Sequence, residues 1–471
     1  MKACKSIYND TGIIKQVTFD GLKSVLKIKV NNMTQIEKNR RIREKGKETR
    51  AKRKDQTAKV YEIKLDKSKI SKQRSYALQR LFLEGKWFTN YIISKGITDS
   101  VSYKDYKIKK VNVKVGDMFE ERELTILSSQ MKQYLIKRLQ SNNKSLIILK
   151  AKGKKTGKIR YKKSLHSIPL MQYGITYWIN AKDKTVHIQG LGNFKANGID
   201  QIPWNGEFAT ANFIERNGDY FLHVVVYVPK EKKVHNGRAI GIDLGIKNQI
   251  TFSNGIKVQY AIPMPERIKR LYKAFSRSKY DKEERKRSRR GTKLLQKIKK
   301  EFQHQNNQKK DINNKLAHYV TSNYEYVAYQ NDNIQSWSRF YGRRIYQTSI
   351  GGFRECLKRK ASTPLEVGRF IRTTGVCMNC GTVQHLNLSD RMVVCPSCHS
   401  VFDRDVGAAN KIKEEGLCLG NLGETLAEDY ASTSSMLEYI KRIPHVKASI
   451  AVEARSPKFT GEAEAPSVRA G

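Results

Sequence analysis

Negative charge is what this sequence has least of. Its 471 residues carry 44 Asp and Glu against 91 Lys and Arg, a net charge of +47. An ordinary metabolic enzyme has no use for that imbalance, and such a chain repels itself unless a polyanion neutralises it. The sequence also lacks any apolar run of about 18 residues, which excludes a membrane-spanning helix. The opening MKACKSIYND has no continuous apolar stretch of the kind a secretory signal needs. Cysteines are few and odd in number, seven, and four of them crowd between positions 377 and 398. A secreted disulfide framework would be more evenly spread. The expected compartment is therefore the cytosol, in association with the nucleoid. No internal repeat is present. The apolar fraction is a modest 39%, but strand-like runs within it argue against wholesale disorder.

The excess charge favours nucleic acid over an acidic membrane. Basic residues recur along the whole chain instead of forming one juxtamembrane block. They are interleaved with 23 Tyr, 16 Phe and 4 Trp, which can stack on bases. Charge does not separate DNA from RNA. Two runs supply candidate phosphate contacts: Arg40, Arg41, Arg43, Lys52 and Arg53 in the first, and Arg267, Lys269, Arg270, Arg277, Arg289 and Arg290 in the second. Each run has an alternative reading as a solvated helix face, and the first also as a disordered segment.

Along the chain, residues 12–31 alternate apolar and polar side chains and read as strands, and 57–68 read as another. Residues 72–95 repeat apolar positions at helical spacing, with Leu78, Leu81, Phe82, Trp87, Phe88, Tyr91 and Ile92 on one face. Two further helices are expected over 122–150, then a basic loop over 151–165. Short alternating runs over 167–229, punctuated by Gly, Asn and Asp, indicate an antiparallel sheet or small barrel. Residues 231–237 read as a linker, and 238–252 as a buried strand, a turn and a second strand. A long basic helical stretch follows over 265–320, with an interruption expected at Gly291. YEYVAYQ (324–330) reads as a buried strand, 343–360 as helical, and the last ~50 residues as a mobile tail.

Cys377-Met-Asn-Cys380 and Cys395-Pro-Ser-Cys398 stand 14 residues apart. Two such turns bring four thiolates to tetrahedral spacing, the signature of a zinc ribbon. The intervening HLNLSDRMVV suits a β-hairpin. With all four positions filled by sulfur, none is left for water, so the zinc is read as structural. The carboxylates are less specific. Asp243 ends the strand AIGIDLG beside a glycine and reads as a turn residue or as a metal ligand. Asp405, in DRDVGAA, reads as a ligand or, like Asp403, as a helix cap. Taken together they suit a two-metal nuclease, in which aspartates on rigid elements hold Mg²⁺.

The order AIGIDLGIKN, a long basic helical stretch, a strand ending near Gln330-Asn331-Asp332-Asn333, CMNC…CPSC and DRDVGAA resembles the TnpB family encoded by insertion sequences, and the compact type V CRISPR effectors derived from it. The resemblance covers roughly residues 165–412. It implies an α+β multidomain fold: an RNase H-like RuvC domain with an inserted zinc ribbon, plus a β-barrel wedge domain with a helical recognition insert. The implied layout is wedge strands and a basic arm over 1–70, the helical insert over 71–165, the wedge barrel over 166–235, the nuclease domain over 236–371, the zinc ribbon over 372–402, a last nuclease motif over 403–415, and the tail over 416–471. It further implies a guide RNA and a double-stranded DNA target as partners, no membrane, structural zinc, and catalytic magnesium held by Asp243 and Asp405. At the second acidic position the family carries glutamate, whereas this chain has Gln330. An amide keeps the shape and loses the charge, as natural loss of cleavage or deliberate silencing would both produce. Asp332, two residues on and on the same face, is a candidate substitute. The competing readings are a cleavage-dead RNA-guided repressor, a DNA-strand transferase, and a zinc-ribbon nucleic-acid binder with no guide.

Overall fold

The computed structural model describes residues 35–96, 103–116, 118–230, 234–281, 286–387, 390–422 and 430–451. The strands expected over 12–31 lie outside the described residues. The chain divides into two units, 1–231 and 232–471.

In the first unit the charge run becomes helix α1 (Gln35–Lys52), exposed along its length because almost no side chain offers an apolar contact. Strand β1 (Gln56–Leu65) and helix α2 (Lys72–Ser94) follow. Ser71 caps α2 by accepting from the Arg74 N–H. Its expected apolar face is buried at Leu78, Leu81, Phe82, Trp87, Phe88 and Ile92, each contributing about 1.5–3 kcal/mol relative to exposure. Where two helices are expected over 122–150 there is one, α3 (Ser129–Ala151), and a hairpin of β2 (Lys110–Val115) and β3 (Met118–Glu123) precedes it. The buried carboxylate of Glu84 joins these parts. It accepts from the backbone N–H groups of Thr125, Ile126 and Leu127 and from Arg80.

The alternating runs form β4 (Ser167–Leu170), β5 (Tyr177–Asn180), β6 (Thr185–Ile188), β7 (Gly192–Asn197), β8 (Glu207–Arg216) and β9 (Asp219–Pro229). With β1 they make one antiparallel sheet in the order β4-β8-β9-β1-β7-β6-β5. A bulge between Phe208 and Ala211 bends β8. Side chains from this sheet, α2 and α3 share one core.

The second unit opens with β10 (Ala239–Leu244), β11 (Ile250–Phe252) and β12 (Ile256–Tyr260). The basic stretch breaks ahead of Gly291: α4 (Glu266–Ser276) ends, β13 (Tyr280–Asp281) and β14 (Lys286–Arg287) pair, and α5 (Arg289–Asn323) begins. Gly291 lies within the first turn of α5, where its N–H donates to the capping Ser288 hydroxyl. Then come β15 (Tyr326–Gln330), α6 (Ile334–Thr348), α7 (Ile350–Lys360), β16 (Thr363–Val367), β17 (Met392–Val394), β18 (Val401–Asp403), α8 (Arg404–Leu419), α9 (Tyr430–Lys441) and β19 (Val446–Ile450). The stretch expected to be a mobile tail therefore contributes a helix and a sheet strand. Met436, Ile440, Ile443 and Val446 bury apolar surface there, which fixes those elements to the core.

The sheet order is β16-β15-β10-β11-β12-β19. The pairs β10–β15 and β15–β16 are parallel, and the others antiparallel. Alternation sorts β10 by face. Ile240, Ile242 and Leu244 enter a core with Leu316 and Val320 of α5, Phe353 and Leu357 of α7, and α9. Gly241 and Asp243 face the other way, toward α8. Glycine is required at 241, because a Cβ there would lie 2.0 Å from the Ala409 carbonyl oxygen. Gly416 leaves room for the Ala328 and Leu365 side chains, which a Cβ there would meet at 2.7 and 3.2 Å. The close approach of these two glycines sets α8 on the sheet.

Candidate active site and metal centre

Asp243 projects from the end of β10 on the face that α8 covers, and Asp405 sits in the first turn of α8. The choice between Asp403 and Asp405 follows from capping. Asp403 Oδ1 accepts from the N–H groups of Asp405 (3.0 Å) and Val406 (3.2 Å), and its other oxygen bonds the Lys257 ammonium. Asp405 is left to the site. It accepts from Asn248 Nδ2 at 3.0 Å and from Arg404 at 3.4 Å, with Arg391 at 3.7 Å and Lys257 at 3.9 Å. None of Asn248, Lys257 and Arg391 stands out in the sequence, since each reaches Asp405 from a separate turn or strand. Asp332 follows the end of β15. Burial raises Asp332 above the usual aspartate range, against the pull of Arg354, which also donates to its backbone carbonyl. Burial, then the like charges of Asp405 and Asp332, push Asp243 up to about 7, partly offset by Arg404. Asp243 therefore feels the charge of two other carboxylates from the ends of neighbouring elements.

Gln330 occupies the register position beside Asp243, since Ile242 pairs with Tyr329 in the parallel ladder. Its polar atoms are directed elsewhere. The amide nitrogen donates to the carbonyls of Gly368 (3.2 Å) and Ile371 (2.8 Å), and the amide oxygen accepts from the Thr373 hydroxyl at 3.1 Å.

Cys377, Cys380, Cys395 and Cys398 come together with all four sulfurs within 4.8 Å of one another. The closest pairs are Cys380–Cys395 at 3.5 Å and Cys377–Cys398 at 3.6 Å. Four soft donors at that spacing fit a tetrahedral zinc ion. Burial pushes the Cys377 thiol up. Hydrogen bonds from the Ser400 hydroxyl and the N–H groups of Cys380 and Asn379 outweigh it and bring the thiol down to about 6. The hairpin is not the expected one over HLNLSDRMVV. It is β17 with β18, and the second Cys-x-x-Cys forms its turn. Its far strand ends at Asp403 and runs straight into α8.

Arg40, Arg41 and Arg43 are exposed on α1, with Arg40 paired to Glu44. Arg53 lies half-buried over the Tyr227 ring and pairs with Glu207, which Lys52 also approaches, so these two have structural partners. Arg267 pairs with Glu301 and Lys269 with Glu266. Arg270, Arg277, Arg289 and Arg290 are exposed on α4, at its end and at the start of α5. Among the described residues no helix is long and apolar enough to cross a membrane.

Two segments of the chain match known family models. Residues 223–337 match a family model described as "Probable transposase" (OrfB_IS605), and residues 351–412 match one described as "Cas12f1-like, TNB domain". The first runs from within β9 to the start of α6, and the second covers the Cys4 module and the Asp405 segment. The chain resembles the TnpB family and the compact type V effectors related to it. Solved structures similar to the chain include a cryo-EM structure of a Cas12f1–sgRNA–target DNA complex, at 13% identity and a TM-score of 0.42 over 73% of this chain and 83% of that one. A cryo-EM structure of a CRISPR–Cas12f ternary complex aligns at 13% identity and a TM-score of 0.27, over 76% and 82%. No curated protein matches the chain.

Proposed function

We propose that this protein is an RNA-guided DNA-targeting nuclease whose second unit is an RNase H-like RuvC domain and whose seven-stranded sheet, with α2 and α3, is a wedge domain with its helical insert. The placement of Asp243 at the end of β10, of Asp332 just after β15 and of Asp405 in the first turn of α8, the helix that the Cys4 module leads into, carries the reading. The two family-model matches and the net charge of +47 support it.

The donor set fits magnesium. It is all oxygen, and the like charges of Asp405 and Asp332 bear on Asp243, a repulsion that a hard dication would relieve. Asp243 and Asp405 would hold the metal, with Asp332 supplying the third charge in place of Gln330. When bound, magnesium supplies a Lewis acid and an activated water for phosphodiester hydrolysis. The chain's own residues do the positioning. Asn248, Arg404 and Lys257 orient the Asp405 carboxylate. The backbone contact of Gly241 with Ala409 fixes its helix against β10. Exposed arginines of α1, α4 and α5 attract phosphates without reading sequence, and a guide RNA reads sequence by pairing. The Cys4 module, held by structural zinc, directs strands toward Asp405, a role that rests on its direct continuation into α8.

A second reading, an RNA-guided DNA binder that represses without cutting, is favoured by Gln330, which removes one carboxylate from the family's set. The test is Mg²⁺-dependent cleavage of DNA matched to the RNA that co-purifies with the protein. Cleavage lost in Asp405→Ala supports the nuclease. Guided binding with no cleavage supports the repressor.

A further inference from the structure

We propose that Gln330 is a positioning residue, a clasp that fastens the end of β15 to the segment carrying the chain into the Cys4 module, and not a metal ligand that has lost its charge. The inference stands on contacts within the second unit and holds whether or not the site cuts DNA. After Val367 the chain leaves the sheet and passes through Gly368, Arg369, Phe370, Ile371, Arg372 and Thr373 before reaching Cys377. Arg372 donates to the Gln384 carbonyl at 2.8 Å, and two further sets of contacts tie this crossing to the sheet. Ile371 packs against Ala328, Val367 and Ile412. The Gln330 carboxamide bonds the crossing at three points. Gln330 and Thr373 are 8% and 5% exposed, so these bonds are shielded from water.

The polarity of the contacts is specific to an amide. Two carbonyl oxygens face the nitrogen, and one hydroxyl faces the oxygen. Glutamate has the same shape but brings a second acceptor against those two carbonyls, leaving all three without a proton between them. Position 330 therefore selects glutamine over glutamate. The clasp also accounts for why a neutral residue sits in register beside Asp243: its side chain serves the neighbouring crossing.

The test uses the full zinc-loaded chain and hydrogen exchange read by mass spectrometry, comparing the parent with Gln330→Glu and Gln330→Met. Exchange of the 369–376 amides should accelerate at least about tenfold in both variants, more in Gln330→Glu, with the rest of the sheet unchanged. The thiolate absorption of the Co²⁺-substituted Cys4 site should stay as in the parent, which separates a lost clasp from an unfolded module. Mn²⁺ affinity by electron paramagnetic resonance should not rise in Gln330→Glu. Parent-like exchange over 369–376 in that variant overturns the clasp, as does tenfold tighter Mn²⁺ binding. Should Gln330→Glu fail to fold, Thr373→Val removes only the hydroxyl donor, and unchanged exchange in the crossing overturns the clasp on its own.

Discussion

Asp243 shows how much one side chain's surroundings decide. Its pKa is raised to about 7 by burial and by two neighbouring carboxylates, so the fold favours its neutral form. Stability from this group is fully present below the unfolded value of about 4 and is lost as pH rises toward 7. In EDTA, Asp243→Asn should raise the melting temperature by about 3 °C or more at pH 8, with the gain shrinking toward pH 5. A lower melting temperature at pH 8 would show that Asp243 is stabilised as a carboxylate. The placement of Asp243 and Asp405 was legible in the sequence because each sits in a short motif, a strand end beside glycine and a capped helix start. The role of Gln330 was not legible, because its three partners lie in Gly368, Ile371 and Thr373. Local pattern reveals a missing charge, and only the fold reveals where the amide points.

Among the elements, α8 carries the most. It begins where β18 ends, brings Asp405 to the sheet and lies on it through glycine and alanine. Gly241→Ala forces a methyl into the Ala409 carbonyl, and the helix must lift. We expect a loss of about 2–3 kcal/mol in chemical denaturation, with cleavage falling alongside. Stability equal to the parent would show that α8 is placed by other contacts. Exchanging Cys377 and Cys380 for Ser should release one zinc per chain by elemental analysis and lower cleavage by loosening β17, β18 and the start of α8. Normal activity after zinc loss would remove the module from the mechanism. Strongly periodic elements such as α2 and the strands of 167–229 were legible. The two-residue strands β13 and β14 carry too few residues for any period, so the stretch 265–320 read as one interrupted helix. Val446–Ile450 is half exposed and becomes a strand only by pairing with β12, so the end of the chain read as a tail.

For the molecule as a whole, the charge was the plainest signal in the sequence, and its use follows from counterion release. Affinity for nucleic acid should fall at least about 10³-fold between 50 and 200 mM salt. A flat dependence would mean that the basic surface does not carry binding. The succession of buried strands, clustered cysteines and the helix that starts near Asp405 was legible from the sequence, whereas the packing of α9 and β19 against the sheet was not, because it depends on residues far apart in the chain.

The most direct measurement is Mg²⁺-dependent cleavage of DNA matched to the co-purified RNA, with the parent run beside Asp243→Ala, Asp405→Ala and Gln330→Glu. The expected result is cutting by the parent, none by either aspartate variant, and no gain in Gln330→Glu. Cutting by Gln330→Glu alone would contradict both the clasp and the three-aspartate site, and would mark the parent as a silenced nuclease.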